Sequence, residues 1–390
     1  MIWFVLILLV SSLFYIGRRM ITPSRLSRRW KTAAWTGLVL WYVMLMASVF
    51  LGRTYEGWNG GLPSWIGYVS MGLLSTLFFL LLLRDIIWLT ARAAAWARSR
   101  PASRVPATDT DAARRAHLLQ LTNIGVVGAA VAVTSYGIFE ARRKPGIVSI
   151  TVPIRRLPQQ FVGFRIVQFT DLHAGLTIGR EWIERVVEEV KLLKPDLIAF
   201  TGDAADGSVE HLREAVASLG ELQAPHGKFF VTGNHEYYSG VEEWVAELRR
   251  LGYDVLLNEH RVVERDGARI VLGGVTDFTG GNHLPSHKSD PEAAFRGAPP
   301  ELARIFLAHQ PKTIRLAASV DYDLMLSGHT HGGQFFPWNL ATAMDQPYLS
   351  GLHRPDGKWI YVSKGTGYWG PPVRLGARSE ITVITLAAEA

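Results

Sequence analysis

Ser327-Gly328-His329-Thr330-His331-Gly332-Gly333-Gln334 places two histidines at i and i+2 in a glycine-rich turn. It follows Tyr322-Asp323-Leu324-Met325-Leu326, a run that reads as a buried strand. On a strand this spacing points both rings to one face. In a turn the rings can splay toward two neighbouring ions. Imidazole nitrogen is the commonest transition-metal donor, and glycine lets backbone and a bound phosphate come close. A lone His-x-His is a weak signal; its weight comes from four other places where a ligand-type side chain follows a strand-like run. Asp171-Leu172-His173 follows Arg165–Phe169, and Gly202-Asp203 follows residues 196–200. Gly233-Asn234-His235-Glu236 follows Phe229-Phe230-Val231, and His309 closes Ile305-Phe306-Leu307-Ala308. Open α/β sheets place their sites at the carboxyl ends of strands. Polar residues that merely terminate strands would explain any one of these five, but fit all five poorly.

The set contains two carboxylates, four histidines and one asparagine amide. Two divalent ions a few ångströms apart can clamp the attacking and leaving oxygens of an in-line displacement at phosphorus. Such a pair needs a bridging anion and several neutral donors, or the site becomes too negative to accept phosphate. Nitrogen and oxygen ligands without sulfur allow Mn, Fe, Zn or Ni.

Taken in order, Asp171-x-His173, Gly202-Asp203, Gly233-Asn234-His235-Glu236, His309 and Gly328-His329-x-His331 resemble the five-block signature of the calcineurin-like metallophosphoesterases. The resemblance covers roughly residues 146–390. The Gly-Gly-Gln ending and the apolar N-terminus resemble the membrane-tethered bacterial phosphodiesterases of the YkuE and YaeI type. It implies a four-layer α/β/β/α sandwich and two divalent metal ions. Asp171, His173 and His331 would hold one metal, Asn234, His309 and His329 the other, and Asp203 would bridge them. A hydroxide between the ions would be the nucleophile, its pKa lowered by them. No covalent phospho-enzyme is then needed. His235 would contact the scissile phosphate and protonate the leaving group, with Asp203 the second residue assigned to catalysis; imidazole has a suitable pKa for proton transfer. Glu236 would orient His235 or cap the next helix. Asp206 reads as a solvated loop aspartate, with a hydrogen bond to a ligand histidine as the alternative. Asp277 ends another strand and is a candidate to support a ligand. His283 and His287 read as surface histidines. All seven expected ligand positions are filled, which argues against a non-catalytic domain.

The elements that must position these residues occupy only part of the chain. Its 390 residues suffice for about two domains. Of 41 Lys and Arg and 34 Asp and Glu, residues 1–145 hold 17 and 5, leaving 24 and 29 for residues 146–390. The basic residues of the first part flank apolar segments. Orientation in a bilayer explains them better than nucleic acid, and no nucleic-acid partner is indicated. There is no cysteine, which excludes disulfides and thiolate ligands.

Four apolar segments, about 1–16, 33–52, 64–83 and 121–139, read as an all-α transmembrane region. The first is short enough to pass for a signal-peptide core, but no small-residue cleavage site follows it. Trp30, Trp35, Trp41, Trp58, Trp65 and Trp88 lie in or near these segments, several at plausible interfacial positions. Residues 17–31 carry six Lys and Arg and no acid, and residues 84–118 carry seven Arg and three acids. Residues 53–63 hold only Arg53 and Glu56. The positive-inside rule puts the first two loops in the cytoplasm and everything after the fourth helix outside. Arg142, Arg143 and Lys144 run against this placement. Arg114-Arg115 reads as a cytoplasmic flank, with a displaced twin-arginine export signal as the alternative. Residues 96–111, with Pro101 and Pro106, read as a linker. Apart from Arg84 and Asp85 near one boundary the helices lack ionisable groups, so they are an anchor rather than a carrier.

Residues 146–390 alternate strand and helix, with helices expected over 181–193, 209–219 and 241–251. Later strands, about 255–258, 261–265, 269–274, 304–308, 323–327, 359–363 and 380–386, read as a second, more antiparallel sheet. The expected protein is a multi-pass phosphodiesterase of the bacterial cytoplasmic membrane with its catalytic domain on the extracytoplasmic side. A phosphomonoesterase and a phosphate sensor without turnover are the alternatives. Two aromatic loops, Phe335-Phe336-Pro337-Trp338 and Tyr368-Trp369-Gly370-Pro371-Pro372-Val373-Arg374, would face the bilayer and admit a lipid-linked phosphodiester or pyrophosphate, or else pack in the core.

Overall fold

The structure, a computed structural model, describes residues 2–54, 61–98 and 109–389. The loop residues Glu56 and Trp58 and the linker residues 99–108 lie outside the described residues. The chain forms two compact units, one within residues 2–52 and 62–138 and the other over 139–389.

In the first unit the apolar segments all lie in helices: α1 (Ile2–Met20), α2 (Arg28–Thr54), α3 (Leu62–Arg98) and α4 (Asp109–Arg142). They pack around Ile16, Leu38, Tyr42, Leu45, Leu74, Leu77, Leu81 and Ala130. Among the described residues two helical stretches are long and apolar enough to cross a membrane, Leu62–Arg98 and Ala116–Arg142. Helix α3 has 37 residues, roughly 55 Å at 1.5 Å per residue. Arg84, Arg92 and Arg98, expected in a cytoplasmic loop, therefore lie within this helix. Arg84 and Asp85 are paired: Asp85 takes ion pairs from Arg19 (2.6 Å) and Arg84 (2.8 Å) and a hydrogen bond from the Tyr15 hydroxyl (2.6 Å).

The second unit contains the strands β1 (Gly146–Ile154), β2 (Arg165–Phe169), β3 (Leu197–Phe200), β4 (Lys228–Phe230) and β5 (Asp254–Val255). They continue as β6 (Glu259–Arg265), β7 (Ala268–Gly274), β8 (Arg304–Leu307), β9 (Leu324–Ser327), β10 (Gly351–His353), β11 (Trp359–Val362) and β12 (Glu380–Ala388). Its helices are α5 (Arg180–Leu192), α6 (Val209–Val216), α7 (Asn234–Ser239), α8 (Val241–Arg250), α9 (Pro291–Ala294) and α10 (Trp338–Asp345). Two six-stranded sheets result, ordered β1-β12-β2-β3-β4-β5 and β10-β11-β9-β8-β7-β6. With the helices they form the mixed α/β sandwich.

Alternation along the strands builds the layers. On β8, Ile305 and Leu307 enter the core between the sheets with Ile166, Leu197, Leu272, Leu324 and Leu326, while Phe306 faces the opposite side. On β2, Val167 and Phe169 turn toward the helices, where Trp182, Ile183, Val186, Val187 and Val190 form the buried stripe of α5. Two expectations are corrected. The second sheet is parallel through β7, β8, β9 and β11, with only the edge strands β6 and β10 antiparallel. β12 and the strand expected at 255–258, observed as β5, belong to the first sheet, β12 inserted between β1 and β2 and β5 paired parallel with β4 at the edge. Strand spacing along the chain cannot reveal such a return.

Leu326 is fully buried between the sheets one residue before Ser327. Leu326→Ala is expected to destabilise the second unit by about 2–5 kcal/mol, read as a lower denaturation midpoint with an unchanged denaturant slope.

Candidate metal centre

The five ligand-bearing turns meet at the carboxyl ends of β2, β3, β4, β8 and β9. Asp171 and His173 follow β2, Asp203 follows β3, and Asn234 opens α7 after β4. His309 follows β8, and His329 and His331 follow β9. The backbones of the first two turns are cross-linked by Asp171 N–H to Gly202 O (3.0 Å) and His173 N–H to Asp203 O (3.1 Å). Gly328 N–H bonds His309 O at 2.9 Å. Asp171, His173, Asp203, His329 and His331 all have φ between 51° and 71°. Each such left-handed, non-glycine residue costs on the order of 1–3 kcal/mol and persists only where its surroundings dictate it. Two glycines serve close approach. A Cβ on Gly233 would lie 2.1 Å from Asp203 Oδ1, and one on Gly328 would lie 2.3 Å from Asp171 Oδ2.

The donor atoms gather in overlapping groups: Asp171, His173 and His331; His173, Asp203 and His235; Asp203, His309 and His329. Within each group the donors lie within 4.8 Å of one another. Asp203 Oδ1 accepts the His235 backbone N–H at 2.9 Å. Its Oδ2 lies 3.1 Å from His309 Nε2 and 3.7 Å from His173 Nε2. Within the expected ligand set, two buried atoms have no hydrogen-bond partner, Asn234 Oδ1 and His309 Nε2. The other His309 nitrogen donates to Thr201 O at 2.7 Å, which turns Nε2 toward Asp203 Oδ2, 3.1 Å away, where a cation would take the place of the ring proton. The residues therefore fit a metal centre: unpaired buried lone pairs are costly unless something electropositive meets them.

Electrostatics agree. Burial opposes charge on His309 and on His235, yet the neighbouring carboxylates win. Asp203 holds His309 well above the usual imidazole range, and Asp206 with Asp203 raises His235 to about 9. Burial would raise Asp203, but His309 and His235 hold it well below the usual carboxylate range. The cluster thus demands positive charge. His329 is pushed down to about 3 by burial and the His309 charge, and His331 goes well below its ordinary value by burial, His173 and Arg374. Neutral imidazole is the form that ligates metals.

Asp206 is not the solvated loop residue expected. Its Oδ1 accepts from His173 Nδ1 at 3.1 Å and from His235 Nδ1. Glu236 does not touch His235 by hydrogen bond. It caps α7 through Gly233 N–H (2.6 Å) and holds the Asp203 turn through the amides of Asp203 (3.0 Å) and Ala204 (2.7 Å). Asp277 is buried and grips the Gln310 side-chain amide at 2.9 and 3.0 Å, bracing the residue after His309. His287 bonds the Tyr237 hydroxyl at 3.0 Å, and among the described residues neither it nor His283 joins a donor group. Sequence reasoning missed Arg374. It is fully buried and donates to His331 Nδ1 (2.9 Å), Gly367 O and Ala377 O. Nothing in Val373-Arg374-Leu375 marks it beforehand.

The calcineurin-like phosphoesterase family model matches residues 164–333. A transmembrane protein with metallophosphoesterase domain from Danio rerio is 34% identical over 397 aligned residues, covering 97% of this chain and 87% of that protein. A Bos taurus protein of the same description is 38% identical over 305 residues, covering 75% and 67%. The uncharacterized metallophosphoesterase YkuE of Bacillus subtilis is 30% identical over 284 residues, covering 70% and 97%. The chain belongs to the calcineurin-like metallophosphoesterases, and its buried His and Asp groups form the family's metal-binding site.

Because a Cβ on Gly328 would strike Asp171, Gly328→Ala is expected to fold yet retain about 10–100-fold less metal, the range seen when the support of a ligand is lost. Elemental analysis after dialysis, with circular dichroism as the folding control, checks this.

Proposed function

We propose that the chain is a membrane-anchored, dinuclear phosphodiesterase. The observation that carries the reading is Asp203, whose carboxylate is shared between a donor group with His173 and His235 and another with His309 and His329. Asp171, His173 and His331 would hold one ion and Asn234, His309 and His329 the other, with Asp203 between them. When bound, the two ions supply Lewis-acid activation of the phosphoester and of the attacking water. The chain's own residues do the rest. The raised His235 stays protonated at neutral pH and donates its proton to the leaving oxygen. Asp206 fixes the ring by accepting from Nδ1, which leaves Nε2 for the substrate. Preference for a diester is supported by the aromatic rim. The rings of Tyr238 and Trp369 lie 5.3 and 6.0 Å from that of His235, where a second organic group on phosphorus would rest.

The anchoring reading draws on the two long apolar helices and on relatives described as transmembrane proteins. The four-span count, the bacterial inner membrane, the extracytoplasmic placement and the 145/146 domain boundary rest on the charge and hydropathy pattern alone. Gly146, where β1 begins, is consistent with that boundary.

Two measurements test the reading. Full-length protein in detergent is stripped of metal and reloaded singly with Mn, Zn, Fe or Ni. Hydrolysis of bis-p-nitrophenyl phosphate should return with at least one metal and exceed that of the monoester. Asp203→Ala and His329→Ala should abolish it, and His235→Ala should lower kcat by about 10²–10⁴-fold. Failure of every metal to restore turnover to a folded, metal-loaded chain refutes the assignment.

The pH profile is the second. Asp206 holds the His235 proton, which keeps the acid protonated above the ordinary imidazole range. Asp206→Asn removes that stabilisation and lowers the His235 pKa toward the ordinary imidazole range. The alkaline limb of kcat should then move to lower pH; an unmoved limb excludes His235 as the acid.

A further inference from the structure

We propose that the metal face of this unit docks on the bilayer and draws an amphiphilic phosphoester from it, a substrate class that rests on the phosphodiesterase reading. The first support is topological. β12 runs antiparallel to β2, whose carboxyl end carries Asp171 and His173, and β1 runs parallel to β12. β1 therefore begins at the sheet edge where β2 ends. The register agrees: Gly146 pairs with Glu380, and two residues on, Thr382 pairs with Gln168, which puts Gly146 level with Thr170 beside Asp171. Helix α4, which contains one of the two candidate membrane spans, ends at Arg142, with only three residues between it and Gly146. Arg142 donates to Thr177 O at 3.3 Å, in the loop after His173, and the Tyr368 hydroxyl donates to the same carbonyl at 3.0 Å. The apolar tether thus enters the unit on the metal face and not at the opposite edge.

The second support is an apolar lip on that face. The turn after His331 runs directly into Phe336 and α10, a helix with no buried residue. Phe336 is 59% exposed, Trp338 41%, Leu340 57%, Met344 85% and Trp369 46%. Over residues 332–352 the sole Lys, Arg, Asp or Glu is Asp345. Core packing does occur in these loops, but through Phe335 and Tyr368, which are buried. Their neighbours point out. Gln334 joins the two loops into one rim, its amide donating to Trp369 O (2.9 Å) and Pro371 O (3.1 Å) and its carbonyl accepting Trp369 N–H (2.9 Å).

A helix that exposes Trp338, Leu340 and Met344 and carries a single charged residue, Asp345, at its end is poorly solvated by water alone. Exposed Trp and Phe are the side chains that settle at the headgroup layer. The bilayer is the occupant because the chain brings it, through α4, to this same edge. A substrate whose phosphate sits among the headgroups can then reach His235 past Trp369 while its tails stay in the membrane.

The test uses the full chain in nanodiscs. The sequence has no cysteine, so Met344→Cys carries a single nitroxide. Asp266→Cys, in the exposed β6–β7 turn at the opposite sheet edge, is the control. The oxygen-to-nickel accessibility ratio is expected to be at least about fivefold higher at Met344→Cys, as for a label seated among acyl chains. Equal, water-like ratios overturn the docking. So do water-like ratios with spin–spin broadening between copies, which would mean the lip covers a second copy instead.

The activity arm uses Leu340→Ser with Met344→Ser in liposomes. Turnover of a diacyl phosphodiester should fall by about tenfold or more, in proportion to the apolar area lost from the membrane contact, with bis-p-nitrophenyl phosphate unaffected. An unchanged lipid rate, or equal loss on both substrates, overturns the inference while the phosphodiesterase reading stands. If the parent chain hydrolyses neither substrate, that reading falls, and the nitroxide ratio alone supports or overturns the docking.

Discussion

The Asp203 carboxylate is the charge around which the second unit is built. It is almost wholly removed from water, and an isolated buried carboxylate costs several kcal/mol. Everything near it offsets that cost. The His235 amide binds Oδ1, the His309 and His173 rings face Oδ2, and Glu236 grips the backbone of the turn. Gly233 leaves no side chain where Oδ1 must sit. These groups come from the ends of β2, β3, β4 and β8, strands of both sheets. The sandwich core formed by Ile166, Leu197, Leu272, Ile305 and Leu307 therefore sets the spacing of the donors across the two sheets.

The ligand set was legible because each donor follows a short buried run, and because glycines mark the places where backbone and ligand nearly touch. Gly202, Gly233 and Gly328 read as turn residues in sequence. In space they are clearances for His309, Asp203 and Asp171. The layered fold was legible for the same reason: alternation along β2 and β8 requires something apolar on both faces. Pairing across long separations was not. Nothing local distinguishes a final strand that extends the second sheet from one that returns between β1 and β2. The three residues of β10 are too few to show a period. For a related reason the supporting role of Asp206 stood only as the alternative to a solvated loop residue, and Arg374 was assigned no role. A carboxylate in a Gly-rich loop and a lone arginine after two prolines carry no periodic or motif signal. Their roles exist only once His173 and His331 have been folded toward them.

Arg374 shows what such a residue contributes. Its guanidinium cannot accept, so His331 Nδ1 is the acceptor and the neutral ring carries its proton on Nε2. That proton points at His173 Nε2, 3.0 Å away, whose own Nδ1–H is committed to Asp206. The chain Arg374–His331–His173–Asp206 is a consistent run of donors and acceptors across the first metal corner.

Asp206 closes the argument because one oxygen serves two rings. Oδ1 accepts from His173, on the metal side, and from His235, on the substrate side. The two rings stand edge to face with centroids 4.5 Å apart. Positive charge at either ring lowers the carboxylate further, and burial opposes it. A cation held by His173 would draw charge onto that ring and compete with the imidazolium of His235 for the same carboxylate oxygen, and would so loosen the His235 proton. Neither ring could be repositioned without disturbing the other, because one oxygen holds both.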